Sequence, residues 1–210
     1  SITLVTSSIF GVGSSFRSMN AFEEPTYVDT VPFGCWWRKD LIDIGMFDED
    51  MVRNQDDELN WRLRKRGGKI ALIPIHGVKY FSRTSLKTHA LMFFQYGLFK
   101  PLTYIKSRNV GSFRPVAPLA LVIVTCCVFL SAFVLPYILA VIYFSTLVVV
   151  YIGLGFLIRH KSQLKVNFYK ALLTAFVLGI THFGYGFGFF IGACQYFMPW
   201  FRGRRISDSR

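Results

Sequence analysis

The sequence predicts an α/β domain, then an amphipathic interfacial helix, then an α-helical membrane domain of about three spans. Three observations carry this. No charged side chain occurs between residues 115 and 158 or between 171 and 200, and each run exceeds the roughly 20 apolar residues that cross a bilayer core of about 30 Å. Residues 1 to 114 are mixed in polarity and alternate strand-like with helix-like segments. Apart from Asp208, every Asp and Glu lies between Glu23 and Glu58, in a chain of net charge +12.

The apolar, β-branched run at residues 2 to 6 reads as a strand. With Ser at position 1 and no basic, apolar, small-residue leader pattern, the chain is expected to be the C-terminal portion of a longer protein. Residues 7 to 20 are a Ser- and Gly-rich connector. Alternation predicts a short strand over 27 to 34 and helical spacing a helix over 36 to 44, which Gly45 stops. The next helix starts after Asn54, an N-cap residue, with Asp57 placed to return a bond in a capping box. Leu59 and Leu63 share one face of that helix, and Gly67-Gly68 ends it. A buried-type strand follows over 69 to 74.

Residues 84 to 106 carry apolar groups at Leu86, Ala90, Phe93, Phe94 and Leu98 with Lys87, Lys100 and Lys106 beside them, a pattern for a helix in the membrane interface. Pro136 divides the first apolar run into two helices. The expected parts are 1–83, a soluble domain; 84–114, interfacial helix and basic linker; 115–200, spans near 115–135, 136–158 and 171–198; and 201–210, a basic tail.

Lys100, Lys106, Arg108 and Arg114 precede the hairpin and Arg159, Lys161, Lys165 and Lys170 follow it, which places both ends in the cytoplasm. A third span would put Arg202, Arg204 and Arg205 outside. Its glycines, at 179, 184, 186, 188 and 192, leave a broken or re-entrant segment as the alternative. The basic surplus is expected to face anionic lipid rather than nucleic acid, for which no recognition motif is present. The four cysteines, Cys35, Cys126, Cys127 and Cys194, form no disulfide pattern and no His or Cys spacing suits zinc. The triplet Asp56-Asp57-Glu58 ahead of Arg62, Arg64, Lys65 and Arg66 has a plain explanation in complementing the helix dipole. His182 stands alone in an apolar run, where an ionisable group is a functional candidate.

The stretch VDTVPFGCWWRKDLIDIGMFDEDMVRNQDDELNWRLRKRGGKI resembles the acceptor half of an inverting family 2 glycosyltransferase of GT-A fold. It is most similar to the succinoglycan-biosynthesis glucosyltransferase type, with a membrane-embedded C-terminus. The resemblance covers about residues 3 to 105, and HFGYGFGFF at 182 to 190 is similar to that type's last membrane segment. The family motif, Glu-Asp-x-x-Leu-x-x-Arg-Leu, falls here on Gln55, Asp56, Leu59, Arg62 and Leu63, with Gln55 in place of Glu.

The resemblance implies that Asp56 is the general base that takes the proton of an attacking sugar hydroxyl. It places Gly34, Cys35, Trp36 and Trp37 along acceptor and donor sugar, and Gln55, Asp57, Arg62 and Gln95 complete the expected substrate-binding set. The implied reaction moves a single hexose from a nucleotide sugar to a polyprenyl-diphosphate-linked glycan, in exopolysaccharide or cell-surface polysaccharide synthesis, at the cytoplasmic face of the inner membrane. Single addition follows because the Gln-x-x-Arg-Trp signature of processive synthases is missing. A divalent ion, Mg or Mn, is expected in the full-length enzyme through an Asp-x-Asp motif that this sequence lacks. Asp48-Glu49-Asp50 matches its letters in the wrong context, so no metal ligand is assigned and this portion alone is expected to be inactive. The alternative reading is a non-catalytic membrane anchor or scaffold derived from a transferase.

Overall fold

The computed structural model describes residues 1–11, 24–31, 34–49, 51–73, 81–107, 114–163 and 167–197. Its described part is mostly helical, with one two-stranded sheet.

The first element corrects the sequence reading. Residues expected as a strand form a short helix, α1 (Ile2–Ser7). β-Branched residues favour strands only where a pleated neighbour receives them, and none of the described strands pairs here. Val5 instead packs against Ile158, Val177 and Leu178, with Ile2, Leu4 and Phe10 around it. The Thr6 hydroxyl folds back onto the carbonyls of Ile2 and Thr3.

The next elements follow the expected order: β1 (Thr26–Val28), α2 (Arg38–Asp43), α3 (Gln55–Lys65) and β2 (Ile70–Leu72). β1 and β2 pair antiparallel, with Thr26 opposite Leu72 and Val28 opposite Ile70. The predicted strand over 27–34 is thus shorter, and residues 32–33 lie outside the described ones. Gly45 at φ +90° and Gly67 at φ +85° follow α2 and α3, the left-handed conformation that stops a helix and that glycine adopts without strain.

Four helices complete the described part: α4 (Leu86–Ser107), α5 (Val116–Ser131), α6 (Tyr137–Lys161) and α7 (Phe168–Phe197). Ser85 caps α4, its hydroxyl accepting from the Thr88 amide at 3.1 Å. Pro136 sits at the N-cap of α6, as the sequence places it. Among the described residues two helices, α6 and α7, are long and apolar enough to cross a membrane. The expected span at 115–135 is shorter: α5 has 16 residues, about 24 Å at 1.5 Å per residue.

The glycines of α7 have a packing role. α7 is one continuous 30-residue helix, not a broken one, and the others gather on it. Gly188 lies against the Phe94 carbonyl, Gly192 against the Leu98 carbonyl, and Gly97 of α4 against Tyr185 and Phe189 of α7. Gly186 meets the Pro118 carbonyl in α5, and Gly155 of α6 meets Ala171. Small residues let helix backbones approach where lipid tails give no hydrophobic drive to association. His89 adds a buried bond to Thr181, 2.9 Å. Contacts advance together along both chains, from His89–Thr181 through Phe94–Gly188 to Leu98–Gly192, so α4 runs alongside α7 in the same sense. The helix expected in the membrane interface therefore has one face buried in protein.

Candidate functional site

α3 begins beside α4, and a polar seam joins them. Arg53 donates to Gln95 Oε1 at 2.9 Å, Asn54 Nδ2 to the Tyr96 carbonyl at 3.4 Å, and Lys100 Nζ to Asp57 Oδ2 at 2.7 Å. Lys106 pairs with Asp48 below them. The predicted capping box does not form. Asn54 takes a left-handed φ of 60° and its side chain makes no cap bond, because that backbone conformation departs from the extended one in which an N-cap side-chain oxygen reaches the first-turn amides.

The three carboxylates of the triplet have three different surroundings. Glu58 is buried and held by Arg62, through Nε at 2.7 Å and Nη2 at 2.8 Å. The same guanidinium binds the carbonyls of Ile44 and Met46, which pins the turn where Met46 has φ 59°. Asp57 has a donor on each oxygen: Lys100 on Oδ2, and the Thr30 hydroxyl on Oδ1 at 3.0 Å. Thr30 in turn accepts from fully buried Asn60 at 2.9 Å. Asp56 is half-buried, and among the described residues its carboxylate forms no hydrogen bond or ion pair. Burial raises its pKa above the ordinary carboxylate value, and the neighbouring Asp57 charge raises it further. The Tyr104 hydroxyl is likewise pushed up to about 12 by burial and by Asp57.

Asp56 and Asp57 open into a cavity of about 770 Å³, within the range of small-molecule sites. Its polar end carries Asn54, Tyr96 and Lys100 beside the two aspartates; its other walls are Leu121 of α5 and Leu147, Val150 and Leu154 of α6. Arg114 lines it where the chain enters α5. His182 also lines it, held at both ring nitrogens: Nε2 donates to the Phe10 carbonyl at 2.7 Å, and Nδ1 accepts from the Tyr151 hydroxyl at 2.8 Å.

Of the residues the sequence singled out, Asp56, Asp57 and His182 meet at this cavity. Gln95 is held by Arg53, Gln55 donates to the Met51 carbonyl, and Arg62 is committed to Glu58. Gly34, Cys35, Trp36 and Trp37 do not line it. Trp36 covers Gly34 and meets Phe47 edge-on, while Cys35 is exposed and free. Trp37 is 81% exposed. Thr30 was missed as a site residue, and its local sequence gives no signal for it. Among the described residues no three His, Cys, Asp or Glu side chains gather to hold a metal ion, and Asp48 is taken by Lys106. Among the described residues, then, no ligand set fits a divalent ion.

Over 77 residues the chain is 31% identical to the succinoglycan biosynthesis protein ExoA of Rhizobium meliloti (strain 1021). The match spans 37% of this chain and 23% of that relative's length. No family model matches the chain, and no solved structure matches it.

Proposed function

We propose that this chain carries the acceptor half of an inverting glycosyltransferase of GT-A fold, with Asp56 as the general base. One observation carries the reading: of three consecutive carboxylates, the one in the motif's base position is the one left unpaired, and it faces a cavity. The likeness to a succinoglycan biosynthesis protein supports the same direction. As the acceptor hydroxyl attacks the anomeric carbon of the nucleotide sugar, its proton passes to Asp56. The new C–O bond forms as the bond to the nucleotide diphosphate breaks, and one displacement inverts the centre. A base with a raised pKa takes that proton more readily at neutral pH than an ordinary carboxylate.

The acceptor in this reading is a polyprenyl-diphosphate-linked glycan, and the reaction adds one hexose to it. Residues 1–83 belong to the transferase, 84–114 form the linker, 115–200 the membrane domain and 201–210 the tail, with the transferase facing the cytoplasm. The polar end of the cavity beside Asp56 and its apolar walls from α5 and α6 suit an acceptor with a sugar head and an apolar tail. The test is transfer of labelled sugar from nucleotide sugars into a lipid-extractable glycan by membranes containing the full-length protein. Incorporation of a single hexose is expected. Failure of the purified full-length protein to bind any nucleotide sugar favours the scaffold reading, to which Gln55 points.

A further inference from the structure

We propose that Lys100 is a positioning residue for Asp56, acting through Asp57: it neutralises the adjacent carboxylate so that Asp56 stays free and ionised in the cavity. The inference rests on the transferase reading, in which Asp56 accepts the proton.

Adjacent carboxylates opening into one half-buried space disfavour each other's charge. Here one of them is fully engaged. Lys100 Nζ lies 2.7 Å from Asp57 Oδ2, and the two side chains are 16% and 32% exposed, so the pair is less screened than a surface ion pair. Thr30 holds the other oxygen, braced by Asn60. Lys100 is fixed in turn, because α4 is packed on α7 at Gly97, Gly188 and Gly192. The counter-ion of Asp57 is therefore supplied by the helix that packs on the membrane-type helix α7.

Among the described residues, Lys100 is the cation paired with Asp57. Arg114, ahead of α5, is the second cation lining the cavity. Lys106 pairs with Asp48 and Arg53 with Gln95. Tyr96 of α4, Tyr151 of α6 and Tyr185 of α7 add side chains without formal cationic charge to the lining, and both ring nitrogens of His182 are engaged.

The experiment is the pH dependence of kcat/KM in the full-length enzyme for Lys100→Met, Lys100→Arg and Asp57→Asn. Lys100→Met leaves the Asp57 charge uncompensated, so the acidic limb moves to higher pH, by about one unit. Asp57→Asn removes that charge, and the limb moves about one unit lower. Lys100→Arg keeps the limb where the wild type has it. A purely structural role lowers the rate at every pH with the limb unmoved, and that outcome overturns the proposal. If Lys100→Met does not reach the membrane, a limb unmoved in Asp57→Asn alone is enough to overturn it. Retained turnover in Asp56→Asn removes the transferase assignment instead, whatever the limbs do.

Discussion

Gly188 of α7 lies directly against the backbone carbonyl of Phe94 in α4, leaving no room for a side chain. The glycines of this helix thus serve the approach of another helix, which in turn carries Lys100 and Tyr96 to the cavity. Gly153 of α6, by contrast, has open space where its Cβ would be.

Gly188→Ala is expected to lower stability by about 1–3 kcal/mol through overpacking. Gly153→Ala is expected to be neutral or to stabilise by up to about 1 kcal/mol through helix propensity. Thermal unfolding of the two variants in detergent compares them directly.

Arg62→Ala should destabilise the soluble part by about 3 kcal/mol, since it leaves Glu58 buried and unpaired and frees the carbonyls of Ile44 and Met46. Chemical denaturation reads the loss. The double variant Glu58→Leu/Arg62→Met should recover much of it, because no buried charge remains.

His182→Phe removes the donor to the Phe10 carbonyl and the acceptor for Tyr151. A buried group left without its partner costs about 1–3 kcal/mol. Faster amide hydrogen exchange in α1 is expected, with α7 itself unchanged.

The raised pKa of Asp56 gives a stability prediction independent of turnover. A carboxyl whose folded pKa lies above its unfolded value binds its proton more tightly when folded, so ionisation above that pKa works against folding. Asp56→Asn should therefore unfold at a higher temperature than wild type at pH 7. The gap should close as the pH falls through the Asp56 pKa, where both side chains are neutral.

Elements set by local chemistry were legible in the sequence. Gly45 and Gly67 stop α2 and α3, Pro136 opens α6, and the short buried-type apolar run around residues 70–72 makes β2, all through constraints within a few residues. Where the reading failed, long-range contact decided. Residues 2–6 have strand-forming side chains but become helical because Val5 finds the α6–α7 core. Asn54 is a good capping residue held in a left-handed conformation, with its side-chain amide donating to the Tyr96 carbonyl of α4. The α7 glycines suggested a break because the helix they receive lies some ninety residues earlier in the chain. At the site, the motif singles out Asp56, which lines the cavity, whereas Lys100 and Thr30 meet Asp57 only through tertiary packing.

The most direct measurement is single-turnover sugar transfer by the full-length enzyme with Asp56→Asn, alongside donor and acceptor binding. The account predicts a rate lower by about 10²–10⁴-fold, the usual worth of a positioned base, with membrane insertion and binding intact. Turnover within a few-fold of wild type would contradict it, and the unpaired carboxylate would be part of a well-charged helix start and nothing more.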